Sequence, residues 1–346
     1  MCGSKATTIQ QLRKVGIKAA AGALFYSGAL NLLRGSVYRR SENARPLRSS
    51  FVILLYHRVN PHNDPFFPAI SVKTFEGQIK YIKGHFEILP LTDIIFRVRH
   101  GLGLPKNTVA VTFDDGYRDN FIYAHPILKR YNCPATLFTA TNYIGTERWM
   151  WNDELAFAIR STTKPSIAIP GVQRAMSLSS VSSKLAALDL ILGVVKGLPE
   201  IDKGPFLEEL KRHIGEARER SNPLMLSWGE LKEMVDAGWE VGSHTASHVI
   251  LSRVSFNQAT EEIRLSRSDL ERQLGRPVDL FAYPNGKRED YNAAIKEYLR
   301  EAGYLGAVTT VDRMNREDVD LFEMGRKSPW EECGPKFALR INQSFW

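Results

Sequence analysis

The stretch VAVTFDDGYRDN, residues 109–120, decides how the rest of the sequence is interpreted. Its apolar beginning predicts a β-strand, and this strand ends on two adjacent acids, Asp114 and Asp115, followed by a glycine. Neighbouring carboxylates repel each other and lose hydration at the end of a buried strand, so both effects oppose folding. A helix N-cap by Asp115 or Asp119 accounts for one acid. The pair therefore indicates a functional site.

Strand-like segments alternate with helical patterns from residue 51 onward. This alternation predicts an α/β protein with parallel strands and right-handed crossovers, and six or more such units favour a barrel over an open sheet. The predicted strands are 51–57, 109–115, 135–141, 239–244, 280–284 and 305–310, and the predicted helices are 73–83, 119–131, 227–237, 256–274 and 290–302.

The interval from about 142 to 226 breaks the alternation of strands and helices. It combines a Trp-rich piece with a stretch that is rich in Ser, Ala and Leu. A loop of that length inside a compact domain would be anomalous. We therefore predict an inserted helical subdomain within one domain that covers residues 51–346.

Residues 1–50 form a basic leader. They hold nine Lys and Arg and a single acid, Glu42, which accounts for the whole net charge of +8. The remaining chain is neutral, which argues against a nucleic-acid binder, because such proteins carry basic surface on the folded body. An apolar run from Ala19 to Leu33 would reach only about 22 Å as a helix, short of the ~30 Å hydrocarbon core. We expect membrane association through this leader, as a signal anchor or an interfacial helix; a disordered tail is the alternative.

Polar residues stand at the ends of several predicted strands. His57 closes the first strand, Asp114 and Asp115 close the second, His244 closes the fourth, and Tyr283 lies near the end of the fifth. In a parallel α/β barrel these ends share the face on which active sites form. We therefore expect these residues to converge.

The segment SHTASH places His244 and His248 four residues apart. Alone this spacing is a weak signal, and two surface or packing histidines are the better explanation of it. Joined to one Asp, two neutral imidazoles and a carboxylate form the ligand set of a catalytic zinc site with an open position. A divalent ion bound by one acid would also relieve the repulsion within the Asp pair and leave the other acid free.

Three motifs carry a resemblance to a known family. TFDDG (112–116) and HTASH (244–248) resemble the first two motifs of the polysaccharide deacetylase family, the NodB-homology group of carbohydrate esterase family 4. FAYPNG (281–286) resembles a variant of the third motif. The resemblance covers roughly 51–145 and 226–325.

The resemblance implies a distorted (β/α) barrel, a divalent metal, most often Zn²⁺, and hydrolysis of N-acetyl groups on sugars. By position, it makes Asp115, His244 and His248 the metal ligands and Asp114 the general base. A glycan is then the expected substrate.

The motifs depart from the family pattern at two places. Ala282 stands where many members have an Arg that orients the base, and Arg326 is our candidate replacement. No histidine follows His248, although many members place the general-acid histidine late in the chain. LLYHRV (54–59) resembles the branch that includes the poly-N-acetylglucosamine deacetylases, in which the first strand supplies this histidine. His57 is therefore implied as the general acid, and a core-packing histidine is the alternative.

Further residues are expected around the reacting group. The backbone N–H of Tyr283 is a candidate donor to the oxyanion, which also makes Tyr283 a substrate contact. Trp149, Trp151 and Trp228 are candidates for a platform on which sugar rings stack, with core packing as the alternative.

These residues together predict a metal-dependent hydrolase that removes N-acetyl groups from an exopolysaccharide or cell-surface glycan in a bacterial envelope. Two alternatives stay open: an O-acetyl esterase that uses the same site, and an inactive carbohydrate-binding protein of the same fold.

Overall fold

The computed structural model describes residues 21–22, 50–215, 223–331, 334–343 and 345. Nearly all of the basic leader over 1–50, with its expected membrane association, therefore lies outside the described residues. Within the described ranges, no helix combines the length and the apolar character needed to cross a membrane.

Strands and helices alternate along the described chain. The strands are β1 (Ser50–Tyr56), β2 (Glu87–Ile88), β3 (Thr108–Phe113), β4 (Thr136–Thr139), β5 (Ser166–Ile167), β6 (Met176–Ser177), β7 (Glu240–Ser243), β8 (Leu280–Ala282), β9 (Gly306–Val308) and β10 (Asn315–Arg316). The α-helices are α1 (Val72–His85), α2 (Leu91–His100), α3 (His125–Arg130), α4 (Trp151–Ser161), α5 (Val181–Gly197), α6 (Glu200–Ile214), α7 (Trp228–Asp236), α8 (Phe256–Leu274), α9 (Ala293–Glu301) and α10 (Gly334–Gln343).

One curled, mostly parallel sheet forms the body of the protein. Its strand order is β10-β1-β3-β4-β7-β8-β9, and β2 also pairs with β3. Every pair is parallel except β1 with β10. Parallel pairing brings the carboxyl ends of the strands to one rim, as the barrel prediction requires. The predicted α/β barrel of distorted type is confirmed.

The segment from Met324 to Lys327 connects the two ends of this sheet. Met324 forms a parallel bridge with Val308 of β9, and Lys327 forms one with Leu54 of β1. Backbone hydrogen bonds run from Leu55 N to Lys327 O (2.9 Å) and from Lys327 N to the strand β1 (2.8 Å). The segment was not among the predicted strands, because its pairing is too short to leave a sequence pattern.

Apolar side chains cover both faces of the sheet. Along β1, Phe51 and Ile53 contribute to one buried cluster, which also contains residues of α2. Val52 and Leu54 contribute to the other, which contains residues of α1 and α7. Such burial on both faces is the usual state of a parallel sheet and explains why its strands read as continuous apolar runs.

The predicted helices match the structure closely, apart from the one predicted over 119–131. Helix α8 has the predicted bounds, and α7 begins with the expected capping box between Ser227 and Glu230. The helix predicted over 119–131 instead opens with one wider turn, Asn120–Ala124, before α3. Asp119 does not cap it, because its carboxylate accepts from Arg58 Nε at 2.8 Å.

The insert predicted at about 142–226 contains α4, α5, α6 and the β5–β6 hairpin. Its helices pack around their own apolar cluster, which includes Ile159, Ile191 and Leu210. The two ends of the insert are bonded to each other, since Gly145 N donates to Leu226 O (2.8 Å), and Leu226 N donates in turn to Gly116 O, after β3 (3.0 Å).

Candidate active site

Three side chains meet at the rim formed by β3 and β7. Asp115 follows β3, and His244 and His248 follow β7. Asp115 Oδ1 lies 3.5 Å from His244 Nε2 and 3.3 Å from His248 Nε2. Ligand atoms of the three residues all lie within 4.8 Å of one another, which suits a common metal ion.

The hydrogen bonding of His244 shows that a cation fits between these atoms. His244 Nδ1 lies 2.7 Å from the carbonyl oxygen of Ala282, so Nδ1 carries the proton and donates it. In the neutral ring Nε2 then presents its lone pair to the carboxylate of Asp115. Acceptors facing each other need a positive charge between them, and imidazole with carboxylate is a donor set that zinc takes. The bond to Ala282 also holds the ring in the orientation for a ligand.

The neighbouring acid, Asp114, has a different partner. Arg326 Nη1 lies 2.7 Å from Asp114 Oδ1, and Arg326 Nη2 lies 2.6 Å from Asp114 Oδ2. The guanidinium also donates from Nε to Thr309 O at 2.8 Å and from Nη1 to Thr112 Oγ1 at 3.2 Å. Both side chains of the ion pair are buried. The structure thus brings together Asp114 and the arginine that sequence analysis offered as its partner.

The two acids keep their charge despite burial. Burial would raise the pKa of Asp114, but the charge and hydrogen bonds of Arg326 outweigh it and lower the pKa. Burial acts on Asp115 in the same sense, but the adjacent imidazoles of His244 and His248 outweigh it and bring its pKa well below the ordinary value. Both carboxylates are therefore ionised at neutral pH.

The backbone around the ligands is strained. Asp115, Thr245 and His248 have φ values of 77°, 63° and 58°, in the left-handed region that side chains other than glycine seldom adopt. Gly116 follows with φ 86°, and a Cβ there would meet Thr139 Oγ1 at 2.8 Å. Such strain persists where surrounding contacts enforce it, which is common at functional sites.

A cleft of about 440 Å³ opens over these groups. His57 and Trp151 line it together with the two acids and the two histidines. His57 is half-buried, and its Nδ1 has no hydrogen-bond partner in the part of the chain that the structure describes. Of the residues predicted from the sequence as catalytic or metal-binding, Asp114, Asp115, His57, His244 and His248 therefore share one cleft.

A third acid, Asp153, lies on the wall of the cleft. Tyr117 Oη donates to Asp153 Oδ2 at 3.0 Å, and the Arg58 guanidinium lies 4.7 Å from the centre of the Tyr117 ring. Burial is the main cause that raises the pKa of Asp153 to about 7, and the nearby charge of Asp115 adds to it. This carboxyl is therefore close to half protonated at neutral pH.

Two sequence expectations need correction. The N–H of Tyr283 donates to Val308 O within the sheet (3.2 Å), so it does not serve an oxyanion. The Tyr283 side chain is buried and donates to Phe322 O at 3.0 Å, away from the cleft. Trp228 packs on Gly145 and against the buried apolar cluster that contains Val52 and Leu54. It does not line the cleft, so it is a packing residue in the structure.

Other residues line the cleft without having been predicted. Trp330 is 51% exposed there and follows the segment that connects the sheet ends. Lys196 and Lys203 reach the cleft from the insert. Trp149, a predicted stacking candidate, does not line the cleft but a neighbouring groove of about 1420 Å³, which shares Arg58, Phe66 and Phe67 with the cleft. Trp330, Lys196 and Lys203 belong to no sequence motif, so only their position in the fold identifies them as cleft residues.

Comparison with known sequences agrees with the motifs and the site. The sequence model of the family described as polysaccharide deacetylase matches residues 102–307, more than half of the chain. The chain therefore belongs to the polysaccharide deacetylase family. The matched range contains Asp114, Asp115 and both histidine ligands, whereas His57 and Arg326 lie outside it.

Two relatives show how far the similarity extends. The YxkH protein of Bacillus subtilis (strain 168) is 21% identical over 275 residues, covering 79% of this chain and 69% of that protein. The poly-beta-1,6-N-acetyl-D-glucosamine N-deacetylase of Staphylococcus aureus (strain MSSA476) is 36% identical over 117 residues. This match covers 29% of the present chain and 39% of the S. aureus protein, well under half of its length.

Solved structures share the fold. The deacetylase PplD of Streptococcus pyogenes superimposes with a TM-score of 0.58 at 19% identity, covering 85% of this chain and 98% of that one. IcaB of Ammonifex degensii gives a TM-score of 0.56 at 20% identity, covering 86% and 98%. At these identities the likeness shows the common fold.

Proposed function

We propose that this protein is a metal-dependent deacetylase that hydrolyses N-acetyl groups on a glycan. The observation that carries the proposal is the pairing of two carboxylates with different partners in one cleft. Asp115 belongs to the cluster with His244 and His248, while Asp114 stays outside that cluster on Arg326. A site that only binds a metal would need the ligands but no separate base.

Asp115, His244 and His248 would hold the metal, for which Zn²⁺ is our proposal because of the mixed nitrogen and oxygen donors. When bound, such an ion supplies Lewis-acid activation of water and of the acetyl carbonyl. The hydrogen bond from His244 to Ala282 O orients the ring for this task.

The remaining residues move the protons. Asp114, ionised and held at both oxygens by Arg326, accepts a proton from the attacking water. Arg326 fixes the orientation of this base and keeps it charged in a buried place. His57 lies in the same cleft and would donate a proton to the leaving amine.

The shape of the surface supports a polymeric substrate. The groove of about 1420 Å³ that adjoins the cleft is lined partly by aromatic rings, among them Phe67, Trp149 and Phe157. Aromatic side chains pair an apolar face with a polar surrounding and suit sugar rings. The printed name of the S. aureus relative makes β-1,6-linked N-acetylglucosamine the first polymer to test.

We further propose that residues 1–50 attach the enzyme to an anionic membrane surface of a bacterial envelope, because their basic residues flank an apolar run. Sedimentation of the full-length chain with vesicles of phosphatidylglycerol, compared with phosphatidylcholine, tests this. Selective sedimentation with the anionic vesicles is expected; equal recovery in both supernatants would contradict it.

Acetate release by the full-length chain tests the proposed activity. The substrates are N-acetylglucosamine oligomers of β-1,6 and β-1,4 linkage, with an O-acetylated sugar as the competitor for the esterase alternative. We expect release from an N-acetylated oligomer, reduced roughly 10²–10⁴-fold by Asp114→Asn, the range for loss of a general base.

The outcomes separate the alternatives. Release from the O-acetylated sugar alone would favour the esterase. Binding of oligomers without any release would favour the inactive binding protein. Full activity in the Asp114→Asn variant would contradict the assignment of the base, and an unchanged rate in His57→Ala would contradict the assignment of the acid.

A further inference from the structure

Two lysines of the inserted subdomain line the cleft that holds Asp114 and Asp115. Lys196 lies in the last turn of α5, and Lys203 lies near the start of α6. Neither has a place in the metal cluster or in the proton transfers described above. The insert thus adds positive charge to a cleft whose chemistry the barrel supplies.

Lys203 is a buried cation with hydrogen-bond donors that Glu200 does not use. Its residue is 4% exposed, and its Nζ lies 2.6 Å from Glu200 Oε2. An ammonium group has three donors, and Glu200 is its one hydrogen-bond acceptor within the described ranges. A buried lysine with a single partner keeps the capacity to bind another anion.

Lys196 lies at the exposed side of the same cleft. Among the residues that the structure describes, no carboxylate forms an ion pair with it. Desolvation lowers its pKa, and the nearby Lys287 lowers it further, while Asp290 and Asp115 act in the opposite direction. The net effect is a lowered pKa, with desolvation as its largest cause.

The acids of the cleft are already engaged. Asp114 is bound at both oxygens by Arg326, and Asp115 contacts the two histidines. Asp153 accepts from Tyr117, and its raised pKa leaves it partly neutral. Within the described ranges, none of these three acids forms an ion pair with either lysine.

We propose that Lys196 and Lys203 form a subsite for an anionic substituent, a phosphate or a carboxylate, on the glycan that is deacetylated. The inference rests on the proposed deacetylase function and names the class of glycan that this site accepts. A neutral glycan would cover the Lys196 ammonium without giving it a counter-charge and would leave Lys203 with Glu200 alone. An anionic group would form charge-assisted hydrogen bonds with them, which are stronger than those of neutral acceptors.

Three matched substrates test the subsite with the full-length chain: a neutral N-acetylglucosamine trimer, the same trimer carrying a 6-phosphate, and the same trimer with its terminal residue oxidised to a carboxylate. We expect kcat/KM to favour an anionic trimer by about tenfold, the order expected for one charged hydrogen bond. The anionic trimer that reacts faster shows whether the subsite prefers a phosphate or a carboxylate. The preference should fall as salt is added.

Substitutions assign the preference to the lysines. Lys196→Gln should abolish it, and Lys203→Gln should weaken it wherever that variant folds; since Lys196 is exposed, its variant decides alone. Lys211→Gln is the matched control, because Lys211 lies on α6 but pairs with Glu154 and Glu208. This control should keep the wild-type preference.

The inference and the proposed function fail in different ways. Acetate release with no anionic preference, or a preference that survives Lys196→Gln, overturns the subsite alone. If no trimer releases acetate, the binding of the three trimers to Asp114→Asn, measured by calorimetry, still tests whether the subsite exists. Tighter binding of an anionic trimer that Lys196→Gln removes supports the subsite, and equal binding of all three overturns it.

Discussion

At the scale of residues, Asp114 and Asp115 are neighbours in the sequence, yet the fold gives them opposite surroundings. The change to a left-handed backbone at Asp115 turns its carboxylate toward the two histidines. Asp114 continues the strand direction, with its N–H donating to Tyr56 O at 3.1 Å, and meets Arg326. The cost of placing two acids together is reduced because only Asp114 is paired with a buried arginine, while Asp115 faces the two imidazoles that we propose as metal ligands.

Loss of the arginine should expose that cost. Arg326→Met leaves the Asp114 carboxylate buried and unpaired, so we expect it to lower the free energy of unfolding by about 3–5 kcal/mol. The double variant Arg326→Met with Asp114→Asn should recover most of this loss. Urea denaturation of the three proteins measures both effects.

Lys327→Met provides the control for this prediction. Lys327 is the next residue, and its ion pair is with Asp312, whose side chain is 53% exposed. Its removal should change stability by less than about 1 kcal/mol. If Arg326→Met and Lys327→Met lowered the free energy of unfolding equally, the buried ion pair would be no more important for stability than the exposed one.

Asp153 makes the stability depend on pH. Its pKa of about 7 in the folded protein exceeds that of an unfolded aspartate, about 3.9. Between these values the folded protein holds a proton that the unfolded chain has lost, so stability falls as pH rises. In the metal-free protein, Asp153→Asn should therefore add roughly 3 kcal/mol at pH 8 but less than about 1 kcal/mol at pH 4.5.

Chemical denaturation of the chelator-treated proteins at the two pH values measures this gain. Asp236→Asn is the control, since that side chain is 57% exposed and its variant should stay within about 0.5 kcal/mol of wild type at both values. A gain for Asp153→Asn that is independent of pH would contradict the raised pKa.

At the scale of elements, the turn after β3 sets the geometry of the site. Gly116 combines a φ of 86° with contacts that leave no room for a Cβ, 2.8 Å from both Ile144 Cδ1 and Thr139 Oγ1. Gly238, after α7, has a φ of 99° but open space around it. Substitution by alanine would strain the backbone at both glycines, but only at Gly116 would the new Cβ also clash with neighbouring atoms.

We expect Gly116→Ala to destabilise the protein by about 2–4 kcal/mol, the sum of the strained backbone and the overpacking. Gly238→Ala should lose only the backbone contribution, about 1 kcal/mol. Thermal unfolding followed by circular dichroism gives both values. Equal losses would mean that the contacts around Gly116 relax without penalty.

At the scale of the whole molecule, the strands, the main helices and the ligand set follow from the sequence because each leaves a local pattern. The predicted strands run one or two residues too far at their carboxyl ends, since His57, Asp114 and His244 leave the sheet to form the cleft. Apolar periodicity locates a strand, but it does not show at which residue the strand's hydrogen bonding ends and the side chains begin to line the cleft.

Other features depend on contacts that a sequence pattern does not encode. Arg326 reaches Asp114 because its segment bridges the two ends of the sheet. The N–H of Tyr283 is used by the neighbouring strand β9, which excludes it as an oxyanion donor. The lysines of the insert face the cleft only because of how α5 and α6 pack. Each of these outcomes is a matter of long-range pairing.

The most direct test of the account measures zinc content and acetate release together. The full-length chain is stripped with a chelator and titrated with Zn²⁺, beside Asp114→Asn and His248→Ala variants. We expect activity to rise to a plateau at one ion per chain. Asp114→Asn should bind the same single ion with activity reduced roughly 10²–10⁴-fold, and His248→Ala should bind the ion far more weakly. Undiminished acetate release by the metal-free protein, or no bound ion at all, would contradict the central claim.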